Sequence, residues 1–332
     1  LTGLQESDLS NSDLALSSSV AHLILDESVS YLPLATYLNA QGKLLNGPGN
    51  LLVSVNGDLT NINLEAADSL SLTSDAVLTA QQADSVHGNI NHNGHALVVE
   101  VSGNVDSLVI NDANSLRLAG NTVLTGEQAN HFAWAIDKQD QFILTAEVSG
   151  NSSGLNLNSV DELVLVGDTT LGSAQVSSLS GHIAKGENTL TATINQWVVN
   201  QSLADADFLT VEGGWAILTG QQVNDFHNRI NHGGDQTVYA ELTGGDASDL
   251  DLSSATWLYL DGSAVTLSAE QVGAFAGSIY SNGREVTAKI EGDERALDLN
   301  DAQHLLMIGN ATLTGEQANH FAWAIDKQDQ FI

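Results

Sequence analysis

The stretch Leu124 to Ile143, LTGEQANHFAWAIDKQDQFI, returns letter for letter at Leu313 to Ile332. The identity stops sharply on its N-terminal side, where Asn121, Thr122 and Val123 face Asn310, Ala311 and Thr312. A globular enzyme has no reason to carry such a copy, whereas a tandem array does. The chain therefore reads as a window on a longer array that stops in mid-repeat at Ile332.

The first residue of the duplicated stretch sets the frame. Leu78, Leu124, Leu171, Leu218, Leu267 and Leu313 each open a version of Leu-(Thr/Ser/Gly)-x-x-Gln-(Ala/Val), at intervals of 46, 47, 47, 49 and 46 residues. A worn copy with Leu32, Pro33 and Leu44 lies one period earlier. A fixed period of this size indicates a solenoid or a related array. The expected organisation is a single array over 1–332: a partial coil 1–31, coils 32–77, 78–123, 124–170, 171–217, 218–266 and 267–312, and a partial coil 313–332.

Within a period, Thr79, Thr125, Thr219, Ser268 or Thr314 precedes Gln82, Gln128, Gln222, Gln271 or Gln317 by three residues, which is the spacing of a capping box. Gly172 before Gln175 is a weaker version. Ala129, Phe132, Ala133 and Ile136, like Ala83, Val86 and Ile90, fall on one helical face, which predicts a helix of about three turns. Its stop is expected at Asn93 and Gly94, Gly186, Gly233 and Gly234, or Asn282 and Gly283.

A strand follows, with inward positions such as Leu97, Val99 and Val101, or Val238, Ala240 and Leu242. Two shorter alternating pieces, Leu108 with Ile110 and Leu116 with Leu118, recur as Leu155, Leu157, Leu163 and Leu165 and in later periods. Between them a small residue, Ala67, Ala113, Val160, Ala206, Ala255 or Ala302, marks a tight corner, and Gly120, Gly167, Gly213, Gly262 or Gly309 then turns the chain toward the next helix. The fold class expected is a β/α solenoid of about 47-residue repeats, each one capped helix plus three short strands, with parallel sheets between coils.

Composition narrows the function. With 41 acidic residues against nine Lys plus Arg, the net charge is −32, which argues against nucleic acid or an anionic membrane as partner. No apolar run is long enough for membrane insertion. Cysteine is absent, so no disulfide or Cys-ligated zinc holds the fold. No phosphate loop, nucleophile elbow or paired catalytic constellation occurs, so the chain is not expected to be an enzyme and no obligatory cofactor is expected.

Four sets of residues are candidates for binding. Asp251 and Asp298 would stack side by side on outward positions of one strand with Asp249 and Asn300 close, which reads either as a solvated acidic surface or as crowded carboxylates relieved by calcium. His87, His92 and His95 with Glu100 form a possible metal set, though a helix end and a turn account for the same positions. The glutamine row is explained by capping. Trp134, Trp197, Trp215, Trp257 and Trp323 have the chemistry to stack on sugar rings, but they occupy different repeat positions, so they read as scattered packing residues.

Strong acidity, absence of cysteine, scarcity of Lys and Arg and near-identical tandem units make the chain resemble the long repeat regions of giant secreted bacterial surface proteins, including adhesins exported by type I systems. The calcium-binding nonapeptide repeats of some of those proteins are absent, Gly244-Gly245-Asp246 being a fragment of one. The resemblance implies an extracellular or cell-surface stalk or fibre in which extension and self-association are the function. The partial coils at 1–31 and 313–332, as complementary halves of one period, lead to the expectation of head-to-tail stacking with another copy. Outer strand faces that bind a glycan or calcium are the alternative.

Overall fold

The computed structural model describes residues 23–24, 31–40, 44–45, 50–138 and 141–327. The expected partial coil with Leu14 and Leu16, and the chain end at Phe331 and Ile332, lie outside them. The fold is mostly parallel β-sheet with short helices, of the β-solenoid type. Among the described residues no helix is long and apolar enough to cross a membrane. Two compact units are present: the first runs up to Val148 and includes Leu155–Val164, and the second comprises Ser149–Gly154 and the residues from Leu165.

In the first unit, Leu23–Ile24 pairs in parallel with Leu44–Leu45, and Tyr31–Pro33 pairs with Leu52–Asp58. The long strands then pair in chain order, each in two halves. Leu97–Asn104 lies against Ser115–Thr125, first as Val98↔Ser115 through Val101↔Leu118, then, after a bulge, as Gly103↔Thr122. Leu52–Asp58 and Ser69–Thr79 repeat the arrangement, with the shift between Val55 and Gly57. Gly57 and Gly103 sit at these bends with φ of +69° and +70°, a conformation that costs a glycine nothing and an L-residue energy. The second half of each strand pairs onward: Ala76–Thr79 with Leu97–Glu100, and Thr122–Thr125 with Leu144–Glu147.

The second unit is built in the same way. Leu190–Trp197 pairs with Phe208–Thr219, whose last residues, Trp215–Thr219, pair with Thr237–Glu241. Tyr239–Leu242 continues to Trp257–Leu260, and Leu258–Tyr259 to Ile279–Tyr280. Gly245–Asp246, Val265–Ser268, Val286–Asp293, His304–Thr312 and Ile325–Asp326 form a separate five-stranded parallel sheet in that order.

The core of each unit is the stack of inward side chains expected from the alternation. Leu97, Val99, Val101, Leu116 and Leu118 are buried in the first unit, and Val238, Ala240, Leu258 and Leu260 in the second. Burial of this kind contributes roughly 1.5–3 kcal/mol per large aliphatic side chain.

Three local expectations are corrected. The helices Ala80–Ser85, Gly126–His131, Ser173–Ser178, Gly220–Asp225, Ala269–Ala274 and Gly315–His320 have six residues each, not three turns. Each stops at a residue such as Val86, with φ −114° and ψ 15°, and in four of the six a left-handed residue follows, at Gly88, Gly181, Asn228 or Gly277. Ile90 and Ile136 consequently leave the helix and open two-residue strands paired with Leu70 and Leu116.

The piece around Leu108 and Ile110 is not a strand. Ala67, Ala113, Val160, Ala206, Ala255 and Ala302 donate their N–H to the carbonyl three residues back, at 2.8–3.1 Å, closing turns. The buried Ile110, Leu157, Leu203, Leu252 and Leu299 are turn residues that point inward, which mimics alternation. Finally, Gly120 does not end its strand: Ser115–Thr125 runs on through it to the N-cap Thr125.

The glutamine row does more than cap. Gln82, Gln128, Gln175, Gln222, Gln271 and Gln317 each accept the N-cap amide through Oε1 at 2.6–2.8 Å. Through Nε2 they donate to turn carbonyls 20 to 24 residues earlier, at 2.6–3.3 Å. One side chain thus fixes the start of a helix and fastens it to the preceding turn.

Candidate functional site

The parallel register of the second unit brings together residues that lie apart in the sequence. Trp197 faces Ile217, Ile217 faces Tyr239, and Tyr239 faces Trp257, so four strands contribute to one outward row. In the neighbouring row Glu241 faces Tyr259, which faces Tyr280. Trp215 stands two residues before Ile217 on the same side of its strand. Three of the five tryptophans and three of the five tyrosines of the chain are on this face.

The rings hold one another in place. Trp215 meets Tyr239 edge to face, with centroids 6.4 Å apart and planes at 89°, and Trp197 meets Tyr259 likewise, at 5.8 Å and 81°. Tyr239 and Trp257 are tilted by 33° at 6.4 Å, whereas Tyr259 and Tyr280 are parallel within 7° at 5.6 Å. Between them lies an open groove of about 390 Å³ lined by Trp215, Ile217, Tyr239, Trp257, Tyr259 and Tyr280. Its size suits a small ligand or a few units of a polymer. Trp197 and Tyr280 remain 51% and 55% exposed, so ring surface is open to solvent in spite of the mutual packing.

The fold does not require these rings. The cross-strand pair Tyr239–Trp257 corresponds to Leu52–Ser69, Val98–Ser115, Thr191–Phe208 and Thr287–His304 elsewhere in the chain. The next pair, Glu241–Tyr259, corresponds to Ser54–Ser71, Glu100–Arg117, Thr193–Thr210 and Lys289–Leu306. None of these corresponding pairs sets two rings against each other: aliphatic, small polar and charged residues serve there, with Phe208 and His304 as single rings opposite threonine. An exposed aromatic cluster of this density marks an interaction surface.

The charged pairs at these positions differ in one respect. Arg117 Nη2 lies 2.6 Å from Glu100 Oε2, and Lys289 Nζ lies 2.5 Å from Asp246 Oδ2, where hydrogen bonds from Lys289 and Ser248 hold the Asp246 carboxyl down at about 2. Glu241 is 8% exposed as a residue, and among the described residues neither a cation nor a hydrogen-bond donor meets its carboxylate, whose oxygens open to solvent. Burial, reinforced by the charge of Asp261, pushes its carboxyl up.

A raised folded-state value means that the folded protein holds the proton more tightly than the unfolded chain does. Its stabilising share is complete below the ordinary glutamate value of 4.5 and is lost as pH rises through the folded value. Glu241→Gln is therefore expected to raise the melting temperature at pH 7, the gain shrinking as pH falls through the folded value and vanishing below 4.5. Thermal denaturation across pH measures it, and a lower melting temperature at pH 7 would show that the carboxylate supports the fold.

The residues expected to hold calcium lie in turns rather than on a strand. Asp251 Oδ1 accepts from Ser253 N at 3.0 Å and Ser253 Oγ at 2.6 Å, and Asp298 Oδ1 accepts from Asn300 N at 3.1 Å. Asp249 is exposed, and Asp298 and Asn300 line a polar cleft with Arg295, Glu316 and His320. Among the described residues no group of three or more His, Asp or Glu is arranged to hold a metal ion. His87 faces Asp112 at 3.1 Å, His95 faces Asp75 at 4.0 Å, and Glu100 is taken by Arg117.

The expectation that the tryptophans are scattered packing residues is corrected for Trp197, Trp215 and Trp257, which share the aromatic face. Trp134 and Trp323 stand apart from it, highly exposed in the turn after their helices. Outward parity was legible, since Tyr239 sits between the inward Val238 and Ala240, and Trp257 and Tyr259 flank Leu258. Comparison with family models, with curated proteins and with solved structures finds no match to this chain.

Proposed function

We propose that the chain is a segment of an extracellular bacterial surface protein, in which coils of about 47 residues, each with one capped helix and its strands, form a stalk that carries a glycan-binding face. The observation that supports the binding role is the replacement of Ser, Thr and aliphatic pairs by Tyr239–Trp257 and its aromatic neighbours at backbone positions that fold without them. Indole and phenol rings offer flat apolar surfaces with polar tips. A pyranose ring offers the complement, a face of C–H bonds ringed by hydroxyls. Ile217 is the one aliphatic side chain lining the groove, so nearly all of its wall is ring surface. The charge of −32 disfavours acidic polysaccharides, which leaves uncharged or basic glycans.

Affinity electrophoresis through gels containing glucans, mannans, galactans or amino-sugar polymers tests the proposal, with tryptophan fluorescence as a second readout. Retarded migration in at least one gel, with an emission shift on adding the soluble oligosaccharide, is the expected result. Free migration in every gel would overturn it. So would concentration-dependent self-association that is abolished by Trp257→Ser, because the face would then belong to an assembly contact.

A further inference from the structure

We propose that the glycan taken by the aromatic face carries a protonated amine, and that Glu241 is the residue that recognises it. This rests on the glycan reading above and specifies the ligand's class.

The argument starts from one cross-strand pair. In the first unit, Glu100 faces Arg117, and the guanidinium bonds the carboxylate through both Nε, at 3.2 Å, and Nη2, at 2.6 Å. In the second unit the corresponding glutamate is present but the arginine is not: Glu241 faces Tyr259. The residue is 8% exposed and its carboxylate oxygens open to solvent, no lysine, arginine or hydrogen-bond donor meets them among the described residues, and the charged neighbour is Asp261, of like sign. A partly desolvated carboxylate without a partner carries a cost that a cation delivered by a ligand would relieve, and its open oxygens leave the way for one.

The surroundings are those of a cation site. Tyr259 lines the groove beside Glu241, lies parallel to Tyr280, and meets the edge of Trp197. Aromatic faces attract an ammonium group through their quadrupole, most strongly where water is excluded. A sugar stacked on Trp257 and Tyr239 would place its neighbour in the chain over the Tyr259 row, one strand position along. An amine beside the Tyr259 ring would give Glu241 the charge that Arg117 gives Glu100 in the first unit. A neutral N-acetyl group has no charge to offer and would leave Glu241 as it is.

The test is calorimetric titration of the whole chain with two probes, the hexamer of β-1,4-linked glucosamine at a pH where its amines are protonated, and the hexamer of N-acetylglucosamine. The glucosamine hexamer is expected to bind about tenfold more tightly. Glu241→Gln should abolish that preference while leaving the N-acetyl hexamer unaffected, and Trp257→Ser should weaken both. Because the chain attracts any polycation, Glu187→Gln, which removes one exposed charge away from the face, serves as the control and should keep the preference. Equal affinity for the two hexamers, or an equal loss in Glu187→Gln and Glu241→Gln, would overturn the role of Glu241 and leave the glycan reading standing. Binding of neither hexamer, together with free migration in every polysaccharide gel, would overturn both.

Discussion

Gln128→Met should destabilise the protein by about 2–4 kcal/mol, well beyond the loss of a helix cap alone. Gln128 is 8% exposed, and its side chain and amide make four hydrogen bonds: Oε1 accepts from Thr125 N, its own N donates to Thr125 Oγ1, and Nε2 donates to the carbonyls of Val105 and Leu108. Methionine fills the same volume but leaves Thr125 N and the Leu108 carbonyl without the partner that Gln128 gave them. Val105 O keeps a bond from Leu108 N, so two groups bear the main loss, each costing roughly 1–3 kcal/mol when buried. Thr125→Ala removes only the hydroxyl cap and should cost about 1 kcal/mol. Chemical denaturation of the two variants separates the roles, since equal losses would mean that the bonds to Val105 and Leu108 contribute nothing.

Gly262→Ala should cost about 3 kcal/mol or more, combining backbone strain with a collision. Gly262 has φ of +106°, and a Cβ there would lie 2.3 Å from the carbonyl oxygen of Thr243. That oxygen also accepts the N–H of Ser263 at 3.2 Å, so relieving the clash would open the connection between Trp257–Leu260 and Val265–Ser268. Gly283 is the matched comparison, because its φ is +75° but nothing lies within 4 Å of the added Cβ. Gly283→Ala should cost about 1–2 kcal/mol, the left-handed strain alone. If thermal unfolding shows the two variants equally affected, the close approach at Thr243 does not contribute.

These two sites show what the sequence can and cannot disclose. The pairing of Thr125 with Gln128 was legible because a capping box is local, its partners three residues apart. The Nε2 bonds were not, because they run back to Val105 and Leu108, which a local motif does not reach. Helix length was misjudged for a related reason. Ile90 and Ile136 point inward like a fourth helical position, but they do so from short strands, and only Gly88, Gly181 and Gly277 signalled the earlier stop.

The aromatic face escaped for a deeper reason. At the sequence period of about 47 residues the tryptophans occupy different positions. Spatial neighbours in the sheet are instead 18 to 22 residues apart, as Trp197, Ile217, Tyr239 and Trp257 are, and Tyr259 and Tyr280. The cluster is made by different positions of neighbouring strands. The alternation of each strand gave the side on which a ring lies but not which strand lies beside it.

The most direct measurement is binding by a variant in which four rings are exchanged for residues that the chain itself uses at corresponding positions: Tyr239→Thr, Trp257→Ser, Tyr259→Thr and Tyr280→Asn. The glycan that retards the native protein is titrated into it, and thermal unfolding is followed alongside. The predicted result is an affinity reduced by more than about thirtyfold, with unfolding close to that of the native chain. Undiminished binding, or collapse of the second unit on substitution, would contradict the claim that these rings serve a ligand rather than the fold.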